Sequence, residues 1–184
     1  MIRKHGDIRL ARLNGMQVDL APGFYFATVA LLGFFLIVGI AVFHRNPANA
    51  VFGAALLMLL HWFSETWHNF GHYTAARWTG FPMDGVRLGS TEGMGLFGTS
   101  IYPEQEGELS AAVHIRRAIG GPVSNAILAI VGLVAILVLG LVGSHFVWVA
   151  IVFTIENLFV FVLGNFIPLG FNDGSTLLHW WRLR

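Results

Sequence analysis

The sequence predicts an all-α integral membrane protein of about four transmembrane helices, with a small β-hairpin in a cytoplasmic loop. Hydrophobic residues make up 55% of the 184 residues, whereas Asp, Glu, Lys and Arg together make up 11%. An ordinary soluble domain carries about 25% of these charged residues. The apolar residues also form long blocks, and a block of roughly 20 such residues is enough to cross a bilayer core. The length is that of one domain.

The first predicted span runs from Pro22 to Phe43 without a charged side chain. A secretory signal peptide is the alternative interpretation, because Ala48-Asn49-Ala50 resembles a cleavage site. The apolar run is longer than the roughly 7 to 15 residues of a signal peptide's apolar region. We therefore expect this segment to be kept as a membrane anchor.

Three further segments are predicted to span the membrane. Ala50–Arg77 begins as an apolar run and then acquires ionisable side chains, and charge at membrane depth indicates a functional site. Ala118–Val142 is almost continuously aliphatic or glycine. Phe146–Gly164 contains Glu156, which we interpret as a polar clasp between helices; a second carboxylate near a functional site is the alternative.

The distribution of basic residues predicts the orientation. Every Lys and Arg except Arg45 lies near a chain end or between the second and third spans. By the positive-inside rule, both termini and that loop are cytoplasmic. Within the loop, residues 85–89 and 94–102 are rich in Gly, Thr, Ile and aromatic residues, which predicts the β-hairpin. The resulting divisions are a cytoplasmic segment 1–21, a membrane-embedded domain 22–174 and an interfacial tail 175–184.

Four metal-competent side chains share one face of the second span. At about 100° per residue they fall within an arc of roughly 60°; they are His61, Glu65, His68 and His72. His68 and His72 are one helical turn apart, so their imidazoles can converge on one ion, and imidazole is a common zinc ligand. For any single histidine, a structural hydrogen bond to another helix is the alternative. Together, the set favours a metal.

An oxygen ligand for the same ion could come from Asp173. Pro168 cannot continue a helix after the fourth span. Non-helical backbone at membrane depth is tolerated only where protein groups or the water of a cavity form hydrogen bonds with its N–H and C=O groups. We therefore expect Asp173 to point inward.

Composition excludes other classes of site. Eleven basic and ten acidic residues give a formal net charge of +1. The sequence has no run of basic residues of the kind that binds nucleic acid. We therefore expect the protein to contact membrane lipid and not nucleic acid. The chain has no cysteine, which excludes disulfides and thiolate metal ligands. A pigment or haem carrier is a further alternative, since histidine can bind haem iron. However, two histidines one turn apart on one helix cannot occupy opposite faces of one haem.

Three motifs, in order, resemble those of the site-2 protease family of intramembrane zinc metalloproteases. Residues 68–72 (HNFGH) match the family's H-E-x-x-H helix except at the second position, and residues 121–125 (GPVSN) resemble its G-P-x-x-N helix start. Residues 165–174 (NFIPLGFNDG) reproduce its N-x-x-P-x-x-x-x-D-G motif. The resemblance extends from the second span to Gly174.

This resemblance implies a site-2-protease-like core in which His68, His72 and Asp173 hold zinc. A water would complete the coordination, and Asn165 would line the cleft. The resemblance also implies substrates that are membrane-spanning helices, cut near the cytoplasmic face.

Asn69 stands where the family has its general-base glutamate. An amide can hydrogen-bond to water but cannot take a proton from it at neutral pH, and general-base catalysis contributes roughly 10²- to 10⁴-fold. We therefore interpret the chain as a pseudoprotease that binds transmembrane helices or serves as a subunit of a larger membrane complex. The alternative is an active protease with Glu65, one turn before His68, as the base. Glu65 as a fourth ligand, or as a partner of His61 or His68, is also open.

Overall fold

The computed structural model describes residues 6–90, 95–103 and 107–184. Its strands are β1 (Ile8–Leu13), β2 (Met16–Leu20), β3 (Gly85–Leu88) and β4 (Thr99–Ile101). Its helices are α1 (Gly23–Ile37), α2 (Pro47–Trp78), α3 (Ala111–Leu141), α4 (Val147–Ile155) and α5 (Asp173–Trp181). α1 continues as π-helix over Val38–Val42, and α4 continues as π-helix over Glu156–Gly164.

Four helical segments are long and apolar enough to cross a membrane, as the sequence predicted. They are Gly23–Val42, Pro47–Trp78, Ala111–Leu141 and Val147–Gly164. Many large apolar side chains on these segments are exposed, which is expected of helices that contact lipid and not water. The fold is that of an integral membrane protein. The cytoplasmic location of the termini and of the hairpin stays a prediction.

The third helix begins earlier than the sequence analysis placed it. The predicted start was Ala118, with the glycine–proline sequence as the opening, whereas α3 begins at Ala111 and contains Pro122 in its interior. The difference adds about two helical turns. These turns bring Ile115 and Arg117 into the protein interior, so Arg117 belongs to the helix and not to a solvated loop.

The sheet is larger than the predicted hairpin, so the fold is not purely α-helical. β3 and β4 pair antiparallel, with Gly85 opposite Ile101, which confirms that hairpin; its connecting residues 91–94 lie outside the described residues. β1 and β2 form a second antiparallel hairpin, and β2 runs parallel to β3. The segment before α1 and the loop before α3 therefore form one sheet of order β1-β2-β3-β4.

The hairpin β1–β2 joins the sheet to α2. Asn14 and Gly15 both have positive φ, 48° and 96°, as the two central residues of a tight type I′ turn require. Tyr73 Oη donates to the Asn14 carbonyl over 2.8 Å. Buried side chains of β2 and β3 also share one apolar cluster with Tyr73 and Ala76 of α2. The sheet is thereby held against the half of α2 that carries the histidines.

The chain breaks after α4, as Pro168 predicted. Irregular backbone over residues 167–172 leads into α5. Asn172 organises this break, because its Nδ2 donates to the Ile167 carbonyl over 2.6 Å and its Oδ1 accepts from the Ser175 backbone N–H over 3.3 Å. Asp173 is consequently the first residue of a capped helix. Residues 175–181, expected in an interfacial tail, belong to that helix.

Candidate metal centre

Three side chains of types that can bind a metal meet between α2 and the beginning of α5. His68 and His72 lie one turn apart on α2, and Asp173 opens α5. Their ligand atoms all lie within 4.8 Å of one another. The structure thus brings together the three residues that the sequence analysis selected as metal ligands.

The contacts among the three candidate ligands are of the length found between neighbouring ligands of a tetrahedral zinc ion, with each histidine facing a different oxygen of Asp173. His68 Nε2 lies 3.0 Å from His72 Nε2 and 3.2 Å from Asp173 Oδ2. His72 Nε2 lies 3.3 Å from Asp173 Oδ1. Ligands about 2.0 Å from a tetrahedral zinc ion are about 3.3 Å apart, close to these values. A gap of 3.0 Å between the two nitrogens admits an ion but not the plane of a porphyrin.

Hydrogen bonds on the far side of each imidazole decide which nitrogen faces the centre. His68 Nδ1 lies 2.9 Å from Asn125 Oδ1, and His72 Nδ1 lies 2.8 Å from the Arg117 carbonyl oxygen. The Gly121 N–H also points at His72 Nδ1, but over a longer 3.3 Å. Because the two oxygens are closer and accept, each Nδ1 carries the proton of the neutral ring and donates it, which leaves the lone pair on Nε2. Such partners orient metal-binding histidines generally. Two lone pairs and a carboxylate facing one point form a donor set suited to a divalent cation.

The Asp173 carboxylate is in the charge state that a ligand needs. Burial raises the pKa of the Asp173 carboxyl, but in the metal-free site, where the imidazoles can take up a second proton on Nε2, the charge and hydrogen bonds of His72 and His68 outweigh that effect. Together they hold the pKa of Asp173 well below its usual range. Asp173 is therefore ionised at neutral pH.

Gly121 of α3 leaves room for the centre. A Cβ atom at Gly121 would overlap the Nε2 atoms of both His68 and His72. At Gly120, a Cβ atom would approach the Gly71 carbonyl of α2 to 2.5 Å. The GPVSN motif therefore serves the centre from the middle of α3: its glycine keeps space open, and its asparagine accepts from His68.

Asn69 lies beside the centre and is hydrogen-bonded on both sides of its amide. Its Nδ2 donates to the carbonyl oxygen and to Oε1 of Glu65, both over 2.9 Å. Its Oδ1 accepts from Ser100 Oγ over 3.0 Å. The side chain is 2% exposed. The amide is thus fixed between α2 and β4.

Glu65 contacts the loop before β4. Its Oε1 accepts from the Gly98 backbone N–H over 2.7 Å as well as from Asn69. The sequence analysis considered His61 or His68 as the partner of Glu65; the donors to Glu65 Oε1 are instead Gly98 and Asn69. Among the described residues, the metal-competent group comprises His68, His72 and Asp173 without Glu65. Glu65 is therefore placed beside the ligands and not among them.

His61, the remaining member of the predicted metal face, forms the polar clasp with Glu156. His61 Nδ1 lies 2.6 Å from Glu156 Oε1, and His61 Nε2 lies 2.9 Å from the Leu96 carbonyl oxygen. The clasp joins α2 to the start of the π-helical segment and to the loop that carries Gly98. It supports the site from one side and contributes nothing to the ligand group.

A cavity of about 530 Å³ opens beside the three ligands. Glu65, Asn69 and Asn165 line it. Asn165 Nδ2 donates to the Phe161 carbonyl over 3.0 Å. Asn165 therefore lies in the wall of the cavity that opens beside the candidate ligands, and its role there stays a prediction.

Two further cavity residues, His114 and Arg117, were not selected as site residues by the sequence analysis. His114 stacks on Trp180 of α5 with ring centroids 4.0 Å apart, and the Arg117 guanidinium lies 4.4 Å from the centre of the Tyr102 ring. Both residues line the cavity. Their helical spacing with Gly121 was the signal that could have revealed them, because positions three, four or seven residues apart share a face.

Comparisons with known proteins give one informative result. No family model matches the sequence, and no curated protein matches it. Among solved structures, the site-2 protease from Methanocaldococcus jannaschii is similar, with a TM-score of 0.61 and 21% sequence identity, over 94% of this chain and 69% of that chain. The class that this likeness defines is a helical membrane protein with the site-2 protease fold. At that identity the likeness is one of fold.

Proposed function

We propose that the chain is a zinc-binding membrane protein of the site-2 protease fold that binds transmembrane helices without cleaving them. The observation that carries the zinc site is the convergence of His68 Nε2, His72 Nε2 and the two oxygens of the Asp173 carboxylate, at contacts of 3.0, 3.2 and 3.3 Å. When bound, zinc would supply a Lewis acid able to polarise a carbonyl oxygen. A catalytic zinc site of three protein ligands keeps its fourth position open.

The absence of turnover follows from the chemistry of Asn69. Its amide nitrogen donates to Glu65, and its oxygen accepts from Ser100. Neither atom has a lone pair basic enough to remove a proton from an attacking water at neutral pH. The loss of a general base lowers a rate by roughly 10²- to 10⁴-fold. Binding does not need that proton transfer, so it survives.

The cavity supports a transmembrane helix as the bound partner. Its walls combine polar groups near the ligands with apolar side chains of the chain break, and Leu169 and Phe171 are 57% and 61% exposed. An apolar rim suits the side chains of a lipid-embedded segment, and the polar interior suits an exposed peptide bond. A subunit role in a larger membrane complex would use the same surface.

One observation favours a second candidate, an active protease with Glu65 as the base. The Glu65 carboxylate lines the same cavity as the ligands and lies one turn before His68. A carboxylate can accept a proton from water where an amide cannot. Its existing acceptor contacts with Gly98 and Asn69 compete with that role, so we place this candidate second.

Co-reconstitution with a tagged transmembrane helix in zinc-supplied liposomes distinguishes the two candidates. We expect the helix to co-purify with the unmodified protein and to stay intact, while zinc is retained at about one ion per chain. His68→Ala/His72→Ala is the control that removes zinc. Cleavage by the unmodified protein that this control abolishes would overturn the proposal. If Glu65→Gln also abolished such cleavage, Glu65 would be the base.

A further inference from the structure

We propose that Asn157, in the π-helical part of α4, is a positioning residue that fixes the protonated nitrogen of His68 through Asn125. Asn157 lies outside the three motifs and does not belong to the ligand group. The inference rests on the proposed zinc site and adds a residue that prepares one ligand for the metal.

The physical link is a chain of two buried amides across three helices. Asn125 and Asn157 are each 0% exposed. Asn125 Nδ2 donates to Asn157 Oδ1 over 2.8 Å, and His68 Nδ1 lies 2.9 Å from Asn125 Oδ1. The chain therefore runs from α4 through α3 to the ligand on α2.

A backbone carbonyl fixes which end of each amide donates and which accepts in this series of hydrogen bonds. Asn157 Nδ2 lies 2.9 Å from the Phe153 carbonyl oxygen, which can only accept, so the amide nitrogen and not the oxygen must face it. Asn157 Oδ1 then faces α3, where it needs a donor, and Asn125 must turn its nitrogen towards it. The remaining Asn125 oxygen faces His68.

The consequence for His68 is a fixed tautomer. Facing an oxygen, Nδ1 must carry the proton, and Nε2 presents its lone pair to His72 and Asp173. The reverse orientation of either amide would bring two carbonyl oxygens together. Asn157 thus orients His68 without touching it, through an arrangement set by the Phe153 carbonyl.

Ser64 completes the network and ties it back to α2. Asn157 Nδ2 lies 3.1 Å from Ser64 Oγ, and Asn125 Nδ2 lies 3.4 Å from the Ser64 carbonyl oxygen. Ser64 is one turn before His68. Without Asn157, Asn125 would lose its strongest acceptor in a buried place, and nothing as strong would hold its oxygen towards the imidazole. Leaving a buried donor without an acceptor costs free energy, so the Asn125 amide would turn towards another hydrogen-bond partner.

The test is zinc affinity, measured by competition with a chromophoric chelator on the purified full chain. Asn157→Leu keeps a similar volume and removes the acceptor, and we expect zinc binding to weaken about 10- to 100-fold, the range for lost outer-shell partners. Thr154→Val is the matched control: Thr154 is also buried on α4 and donates to the Ala150 carbonyl over 2.7 Å. We expect its affinity to match that of the unmodified protein.

A second-site change separates positioning from packing. In Asn125→Asp/Asn157→Leu, the carboxylate offers only acceptors, so His68 Nδ1 must donate whatever stands at position 157. We expect this double variant to recover most of the lost affinity. An equal loss in Asn157→Leu and Thr154→Val, or no recovery in the double variant, would overturn the inference alone. Absence of zinc binding by the unmodified protein would overturn the proposed function as well.

Discussion

Asn69 Nδ2 lies 2.9 Å from Glu65 Oε1, so an amide and a carboxylate one helical turn apart are directly hydrogen-bonded beside the three ligands. The family that the motifs resemble has its carboxylate at the position of Asn69. In this chain the carboxylate of the pair belongs to Glu65, one turn before His68, and the residue directly after His68 carries the amide. The same hydrogen bond could form with the two groups exchanged, and this exchange provides a test of the base.

The exchange variant Glu65→Gln/Asn69→Glu is expected to cleave a transmembrane test helix that the unmodified protein leaves intact. The amide oxygen introduced at position 65 can still accept from the Gly98 N–H, and the amide nitrogen there can donate to the carboxylate introduced at position 69. We expect a gain of about 10²-fold or more over the unmodified protein, the size of a general-base contribution. Cleavage is measured by gel shift of the tagged helix.

Asn69→Glu alone serves as the control for the exchange. It places two buried carboxylates one turn apart, and such a pair resists full ionisation. We therefore expect less cleavage than from the exchange variant. Zinc binding without cleavage by the exchange variant would mean that the site has lost more than its base, and a structural subunit would then be the better account.

Gly121→Ala is expected to abolish zinc binding, because the added Cβ would overlap both Nε2 atoms of the ligand group. Gly140→Ala is the matched control, since it lies on the same helix and a Cβ there meets nothing within 4 Å. Gly140 lies in the last turn of the helix and does not have a positive φ, so alanine there introduces no backbone strain and the control should fold as well as the unmodified protein. Metal content after purification is the measurement. Full zinc occupancy in Gly121→Ala would contradict the geometry.

Zinc affinity is expected to fall as the pH is lowered from about 8 to about 6, because protons compete with the metal for imidazole nitrogens. The pKa of Asp173 lies below its usual range, so this carboxylate stays ionised and adds no proton to the competition. The fall in affinity should therefore reflect competition by no more than two protons, one on each imidazole of His68 and His72. Chelator competition at a series of pH values measures it. An affinity independent of pH would exclude imidazole ligands.

The His61–Glu156 clasp is expected to respond unequally to single and double substitution. His61→Leu leaves Glu156 as a largely buried carboxylate without its 2.6 Å partner, and breaking a buried pair costs about 3–5 kcal/mol. His61→Leu/Glu156→Leu removes both groups and should be more stable than His61→Leu alone. Thermal unfolding in detergent compares the two. A double variant less stable than His61→Leu would contradict this, because it would show that Glu156 stabilises the fold through contacts other than its pairing with His61.

The parts of the fold that the sequence predicted are those with long-range periodicity. Apolar blocks located the four spans, and the spacing of His68 and His72 located the ligands on one helix face. The hairpin before α1 was missed although Asn14-Gly15 is a strong turn signal, because the surrounding segment was assigned by its charge. The start of α3 was misplaced because Pro122 suggests a helix start, whereas packed membrane helices tolerate proline inside.

Contacts between helices could not be derived from one sequence. The pairing of His61 with Glu156, and the chain from Asn157 through Asn125 to His68, depend on how three helices pack. The sequence shows only that each residue is polar and lies within a span. The sequence analysis did not predict the π-helical geometry that places Asn157. These side chains therefore became interpretable only once their neighbours were known.

The most direct test of the account is anomalous diffraction at the zinc absorption edge from crystals of the full chain grown with zinc. The account predicts one peak within about 2.0 to 2.2 Å of His68 Nε2, His72 Nε2 and an Asp173 oxygen. The contrary result is an electron density in which these three side chains hydrogen-bond to one another, with no anomalous peak between them despite the added zinc. That result would leave the fold intact and refute the metal centre.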